Sequence, residues 1–148
     1  MKKAHIKIKR LTETAKMPKR GSREAAGYGL YADITLPVSI PPHDDKMIPS
    51  GLAMEIESGY CIKIYARSGK AVKEHLRPAT CVSIIDADYR GPVGLPIHND
   101  SDKTYIVYPQ ERICQMCVEE AIEAEFEEVS ELSDTERGDG GYGSTGQR

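Results

Sequence analysis

Apolar and polar residues alternate with a period of two in several short stretches of the chain. Residues 4–9 place one alanine and two isoleucines at alternate positions, with His, Lys and Lys between them. Because successive side chains of a strand point to opposite faces, this pattern predicts an edge strand with one face in water. Residues 52–57 and 62–65 alternate in the same way, which predicts two more half-buried strands.

Residues that break regular structure separate these stretches. Proline, glycine, asparagine, aspartate and serine occur at residues 41–45, at Pro49 and Gly51, at 58–59 and at 99–102. Short strands with turns at this density are typical of an all-β barrel or sandwich. No segment repeats at a fixed period, which excludes a solenoid.

Two segments depart from the β pattern. Residues 68–75 contain good helix formers after Ser68, a typical N-cap residue, and predict a helix of about two turns. Residues 119–129 are rich in Glu and Ala, which favours a helix by propensity, but their alternate apolar positions also fit a strand. From residue 130 the chain becomes polar and then glycine-rich. We therefore expect a β domain at 1–129 and a flexible C-terminal arm at 130–148.

Length and charge limit the function classes. A chain of 148 residues fits one domain, and a domain of this size buries roughly 68–70% of its unfolded surface. The formal net charge of -3 provides no general basic field for nucleic acid. The first ten residues lack the apolar core of a signal peptide, and no apolar run reaches the ~18 residues that cross a bilayer. We expect a soluble protein of the cytoplasm or nucleus without nucleic-acid or membrane partners.

The four cysteines include one Cys-x-x-Cys pair, Cys114 and Cys117. The surrounding residues 112–118 fit a strand, in which this odd spacing sends the two side chains to opposite faces. One metal ion cannot then bind both, and no second pair of cysteines or histidines completes a zinc site. We interpret all four cysteines, Cys61 and Cys81 included, as buried structural thiols in a reducing compartment.

Residues 83–91 place candidate chemistry at the end of an apolar run. Asp86 follows the apolar residues directly, and Tyr89 comes three positions later. A strand that ends in this turn holds Asp86 at a fixed point and brings Tyr89 beside it, a geometry suited to one small ligand. On these residues alone, a surface hairpin with solvated acids fits equally well.

Two further segments carry groups that bind phosphate. Arg67, Ser68 and Gly69 lie where a predicted strand gives way to the short helix, and a helix N-terminus beside an arginine attracts anions. The stretch 137–146 combines an arginine, flexible glycine amides, hydroxyls and one tyrosine. Taken alone, the first motif is weak and the second also fits a disordered end.

These pieces occur together and in order. The chain resembles the trimeric deoxyuridine triphosphate nucleotidohydrolases, or dUTPases, whose pattern consists of five ordered motifs. The matching segments are 25–32, 66–69, 84–91, 111–116 and 137–146, with Tyr142 where phenylalanine is usual.

The resemblance implies a jelly-roll-like β-barrel, or β-clip, with one short helix, and it favours a strand over a helix at residues 119–129. It also implies a homotrimer whose active sites combine residues of more than one subunit. The substrate would be dUTP, hydrolysed to dUMP and pyrophosphate by water attack at the α-phosphorus with Mg²⁺. This reaction would limit uracil in DNA and supply dUMP. Asp86 resembles the catalytic carboxylate that orients and deprotonates the water, and Tyr89 resembles the ring that packs under deoxyribose.

The resemblance also implies the remaining substrate contacts. A backbone hairpin from Thr80 to Ile85, Ser83 included, would read the uracil edge, while Mg²⁺ would bind through substrate phosphates and water and not directly to the protein. Ser68 and Gln115 match positions near the α-phosphate. Arg67 and Arg137 would counter charge farther along the phosphate chain. Further substrate contacts would come from Gly69 and from Gly143, Ser144 and Thr145 of an arm that closes over the site, in which Tyr142 would stack on the base.

Four residues depart from the family pattern. Gly29 stands where the first motif usually has an aspartate that holds a water of the magnesium shell. Ser83 stands where glycine is usual, Gln110 replaces a turn glycine, and Lys70 replaces an apolar residue after the second motif. A catalytically weak, nucleotide-binding regulatory protein therefore stays open as an alternative. A dCTP deaminase of the same fold is the other, although it would be expected to carry an acid-proline-glycine turn at residues 87–89.

Overall fold

A computed structural model describes residues 3–141 and consists of β-strands with one short helix, as predicted. In chain order the elements are β1 (Ile6–Arg10), β2 (Lys19–Arg20), β3 (Tyr28–Tyr31), β4 (Val38–Ile40), β5 (Asp45–Ile56), β6 (Tyr60–Ala66), α1 (Ser68–Glu74), β7 (Leu76–Pro78), β8 (Ser83–Ile85), β9 (Pro92–Asn99), β10 (Tyr105–Val107) and β11 (Arg112–Glu120).

The strands form two larger antiparallel sheets and one small one. The four-stranded sheet has the order β1-β5-β9-β7, the five-stranded sheet has the order β2-β3-β11-β6-β8, and β10 pairs with β4. The first strand lies at a sheet edge with Lys7 and Lys9 exposed. The edge strand predicted from the alternation at residues 4–9 is therefore confirmed.

The core lies between the two larger sheets. Leu52, Met54 and Ile56 of β5 are at most 4% exposed and belong to one apolar cluster with Ile62 and Ile64 of β6. Burying one such side chain contributes about 1.5–3 kcal/mol relative to leaving it in water. The alternating apolar positions of the sequence are thus the positions that hold the sheets together in a jelly-roll-like fold.

Helix α1 forms where the sequence predicts it, but Ser68 is not its cap. Arg67 is the N-cap residue and makes no side-chain capping hydrogen bond. Its guanidinium Nη1 instead donates to the carbonyl oxygen of Arg112 at 2.7 Å, which ties the start of the helix to β11. The helix ends at His75, whose φ of 55° is left-handed and whose N–H bonds the carbonyl of Lys70.

The strand expected at 119–129 is largely wrong. Strand β11 ends at Glu120, and residues 121–129 are neither strand nor helix. Ile122 and Phe126 are 89% and 92% exposed. Alternating apolar residues cannot form a strand without a neighbouring strand to pair with, and the described part of the chain offers this segment none.

All four cysteines are free thiols, but only one of them is buried. Cys114 is buried, Cys61 and Cys117 are half-buried, and Cys81 is exposed, which contradicts the expectation of four buried thiols. Burial raises the pKa of Cys114 to about 12. Among residues 3–141 no group of three or more His, Cys, Asp or Glu side chains could hold a metal ion. No helix in the described chain is long and apolar enough to cross a membrane.

Candidate nucleotide site

The turn after β8 brings Asp86 and Tyr89 together, as the sequence predicts. The backbone N–H of Tyr89 donates to the carbonyl of Asp86 at 3.2 Å, and the Tyr89 hydroxyl donates to the carbonyl of Pro92 at 3.1 Å. A Cβ on Gly91 would lie 2.4 Å from the Tyr89 hydroxyl oxygen. Only glycine therefore lets the tyrosine ring fold back over the chain at this point.

Asp86 and Tyr89 line a cavity of about 750 Å³, here called the apolar cavity. The predicted residues Thr80, Ser83 and Ile85 line it too. Two carboxylates line the cavity, Asp86 and Asp33, and Asp33 accepts hydrogen bonds from the hydroxyls of Thr12 and Thr14. A largely apolar wall with a few polar groups suits a ring system that carries a few polar groups of its own. The rest of that wall comes mainly from β5 and β9 and includes Met47, Pro49, Val93, Gly94 and Pro96.

The segment expected to be a hairpin from Thr80 to Ile85 is a corner between two sheets. Strand β7 pairs with β9 in one sheet, whereas β8 pairs with β6 in the other. Cys81 at the bend has a left-handed φ of 63°. The hydroxyls of Thr80 and Ser83 are hydrogen-bonded at 2.6 Å across the corner. Ser83, which stands where glycine is usual in the family, is thus held in place by its hydrogen bond to Thr80.

A second cavity of about 620 Å³, here called the cationic groove, holds the predicted phosphate residues. Arg67, Ser68 and Gly69 enter it from the start of α1, and Gln115 enters from β11. The Gln115 amide Nε2 donates to the carbonyl of Ala66 at 2.9 Å, which fixes the direction of that side chain.

Lys19 and Arg112 also line the cationic groove, and the sequence interpretation did not count either as a site residue. Lys19 arrives through the pairing of β2 with β3, and Arg112 is the first residue of β11. The positive charge of these two side chains is the signal in the sequence for a role in binding phosphate. Their location in the groove does not follow from any local sequence pattern.

The apolar cavity and the cationic groove lie at opposite ends of β6. Ile85, the residue before Asp86, pairs with Ile62, and Arg67 lies five residues farther along the chain. At the rise of an extended strand these five residues span roughly 16 Å. The described chain therefore does not bring its own Asp86 to the groove that holds its own Arg67.

Another cavity, of about 790 Å³, lies between β1 and β11 and contains none of the predicted site residues. Arg137 is exposed and lines neither the apolar cavity nor the cationic groove; its Nε donates to the carbonyl of Gly140 at 2.8 Å. Tyr142, Gly143, Ser144 and Thr145 lie outside the described residues.

Lys70, a departure from the family pattern, belongs to a half-buried polar network beside the cationic groove. Glu111 Oε1 accepts hydrogen bonds from Lys70 Nζ and from the Tyr105 hydroxyl, and the Tyr108 N–H donates to Glu111 Oε2 at 3.0 Å. Burial disfavours both charges, but these hydrogen bonds outweigh it. They raise the pKa of Lys70 and lower the pKa of Glu111.

Gln110 is another departure from the family pattern. It has the backbone conformation that the usual turn glycine would adopt. Its φ of 63° is left-handed, and its amide Nε2 donates to the carbonyl of Thr14 at 2.9 Å. The side-chain hydrogen bond offsets part of the strain of this backbone conformation.

The fold is jelly-roll-like, and it carries a largely apolar cavity lined by Asp86 and a separate groove lined by basic side chains. Together these features define a β protein that binds nucleotides. Comparison with known proteins gives the family. Residues 13–146 match the dUTPase family profile, and the chain belongs to that family.

The similarity extends over nearly the whole chain. The deoxyuridine 5'-triphosphate nucleotidohydrolase of Nautilia profundicola is 42% identical over 96% of this chain and 99% of its own. The enzyme of the same name from Oryza sativa is 42% identical over 95% of this chain and 80% of its own. The structure of Staphylococcus bacteriophage 80alpha dUTPase with dUPNHPP superposes with a TM-score of 0.86, at 28% identity over 96% and 98% of the two chains. These matches favour a dUTPase over the deaminase alternative.

Proposed function

We propose that the protein hydrolyses dUTP to dUMP and pyrophosphate by attack of water on the α-phosphorus. The observation that carries this proposal is the apolar cavity, in which Asp86, Tyr89 and the Thr80–Ser83 corner lie together. A nucleoside needs such a wall for its ring and a carboxylate near its reacting phosphate. The names of the curated relatives support the same reaction.

Residues of the apolar cavity would bind the nucleoside and activate the water. Asp86 orients the water and takes its proton, and general-base catalysis of this kind contributes about 10²- to 10⁴-fold. Tyr89 packs under deoxyribose and leaves no room for a 2'-hydroxyl. The backbone of residues 80–85 reads the uracil edge, where a wrong base leaves polar groups unpaired.

Residues of the cationic groove would hold the triphosphate. Ser68, Gly69 and Gln115 contact it near the α-phosphate, and Arg67 counters charge farther along the phosphate chain. The arm at 130–148 closes over this assembly. It contributes Arg137, Tyr142, Gly143, Ser144 and Thr145.

A homotrimer with shared sites would bring the two halves together. The apolar cavity and the cationic groove of one chain lie roughly 16 Å apart along β6, so the groove that serves Asp86 belongs to a neighbouring copy. The exposed Ile122 and Phe126 support association, because large apolar side chains of this kind are commonly covered by a partner.

Mg²⁺ would enter with the substrate, because it keeps several waters and binds nucleotides through their phosphates. The residues of this chain do not fit a further role in holding it. No carboxylate occurs among the described residues that line the cationic groove, and Gly29 carries no side chain there. We assign no catalytic step to the metal.

The test is a product assay with dUTP, dCTP, dTTP and UTP, each with and without Mg²⁺. Pyrophosphate and dUMP from dUTP alone support the proposal. Release of ammonia from dCTP overturns it in favour of a deaminase. Tight binding of dUTP without turnover overturns it in favour of a regulatory protein, the alternative that Gly29 suggests.

A further inference from the structure

The cationic groove keeps an excess of positive charge. Lys19, Arg67 and Arg112 line it, and no described lining residue is an acid. None of the three forms an ion pair with a residue of the described chain. Elsewhere cations do pair with acids, as in Lys7–Glu55, Lys63–Glu119 and Arg77–Asp100. Charges left without a partner in a groove are typical of a site that binds an anion.

Gly29 lets the stem of Arg112 lie close over strand β3. The glycine lies in β3 between Lys19 of β2 and Gln115 of β11. A Cβ on Gly29 would lie 3.0 Å from Cδ of Arg112 and 3.6 Å from its Cγ. The stem of Arg112 therefore passes over the position where any side chain of residue 29 would begin.

We propose that Arg112 and Lys19 bind the triphosphate of the substrate directly, with Arg67, and thereby replace the magnesium support that an acid at position 29 would give. This inference rests on the proposed function, since it assumes that the groove receives the triphosphate. Arginine binds phosphate oxygens through two parallel N–H bonds, and its charge neutralises the phosphate without a metal. Binding and hydrolysis of dUTP should consequently depend only weakly on Mg²⁺.

The experiment compares kcat/KM for dUTP in Mg²⁺ and in EDTA. The native protein should lose less than about tenfold in EDTA, and a larger loss overturns the inference. Arg112→Gln should lower kcat/KM in EDTA by about tenfold to hundredfold, the effect of losing a charged hydrogen bond. In Mg²⁺ the same substitution should cost less, so equal losses in both conditions also overturn the inference.

Two further variants sharpen the test. Gly29→Asp places an acid among the cations and should make hydrolysis more dependent on Mg²⁺, with lower kcat/KM in EDTA. Lys9→Gln removes an exposed cation of β1 outside the groove and serves as the matched control, with no change in either condition.

Binding gives a readout that does not need turnover. Calorimetry with the analogue dUPNHPP in EDTA should give a Kd within about tenfold of the value in Mg²⁺ for the native protein, and a much weaker Kd for Arg112→Gln. If dUTP is not hydrolysed even in Mg²⁺, the proposed function fails, whereas this titration still decides the inference. Equal affinity of the native protein and Arg112→Gln in EDTA would contradict it.

Discussion

Two acidic residues in the turn after β8 differ in what they contact. Both are exposed, but Asp86 lines the apolar cavity together with Tyr89, whereas Asp88 lines neither that cavity nor the cationic groove. The two carboxylates are therefore chemically alike but differ in their access to a bound nucleotide. This difference makes Asp88 a matched control for Asp86.

Asp86→Asn should lower kcat for dUTP by about 10²- to 10⁴-fold, because the amide cannot accept the proton of the attacking water. Binding of dUPNHPP should be nearly unchanged, since the amide has almost the same shape. Steady-state kinetics and calorimetry provide the two measurements. Asp88→Asn should retain kcat, and an undiminished kcat in Asp86→Asn would show that another group activates the water.

Residues that act through local turn chemistry could be predicted from the sequence, and those that act through distant pairing could not. The turn of Asp86 and Tyr89 lies within a few residues, so its geometry follows from the local sequence. Lys19 reaches the cationic groove only because β2 pairs with β3, and Arg112 reaches it by lying over Gly29. No local pattern contains this information.

At the scale of elements, the alternation of apolar residues predicted the strands that have a partner. It failed at 121–129, where the pattern is present but no strand of the described chain pairs with it. The hairpin that the family resemblance implies from Thr80 to Ile85 is also not formed. The strands on either side of this corner, β7 and β8, pair with partners in different sheets.

Helix α1 and the start of β11 are connected by the polar network of Lys70, Tyr105 and Glu111. The Lys70 and Glu111 side chains are only 18% and 17% exposed. Removing one of these two charges leaves the other poorly solvated. The loss of one partner should therefore lower the free energy of unfolding more than it would in a surface ion pair. The network thereby holds two of the elements that line the cationic groove.

Glu111→Gln should lower the free energy of unfolding by about 1–3 kcal/mol at neutral pH. The pKa of Glu111 lies below its ordinary value of 4.5, so the folded state binds the proton more weakly than the unfolded chain. The stabilisation is complete above about pH 4.5 and is lost as the pH falls through the folded-state pKa. Urea titrations of both proteins should therefore converge in acid.

The exposed pair Lys7–Glu55 supplies the control for this measurement. Glu55→Gln should leave the free energy of unfolding nearly unchanged, as expected for a solvated ion pair. A difference between native protein and Glu111→Gln that stays constant from neutral to acid pH would contradict the role assigned to the network.

At the scale of the whole molecule, the class of fold could be predicted but its topology could not. Dense turns and alternating strands indicated a β-barrel or sandwich. The order β2-β3-β11-β6-β8 joins segments that are far apart in the chain, and such pairings depend on how whole faces pack. The apolar cavity and the cationic groove lie at opposite ends of β6 because of that topology.

A shared active site predicts complementation between two inactive variants. Asp86→Asn lacks the base and Arg67→Gln lacks a phosphate contact, but a site that takes Asp86 from one copy and Arg67 from another can be intact in a mixed assembly. Random mixing of equal amounts makes roughly a quarter of such sites intact. Co-expression with two affinity tags, tandem purification and a dUTP assay measure the recovery.

Each variant expressed with itself should stay at its own low activity, which sets the baseline for the mixture. A mixture no more active than this baseline would place the complete site within one chain. Mass measurement of the purified mixture verifies that both variants are present in one assembly.

Because Asp86 and Arg67 are far apart along β6, the specific activity should also depend on the protein concentration. With a shared site, a dilute chain is inactive, and specific activity rises with concentration until assembly is complete. Slow synthesis would then leave the nucleotide pool unchanged at first. Hydrolysis would begin only after enough chains had accumulated to find one another.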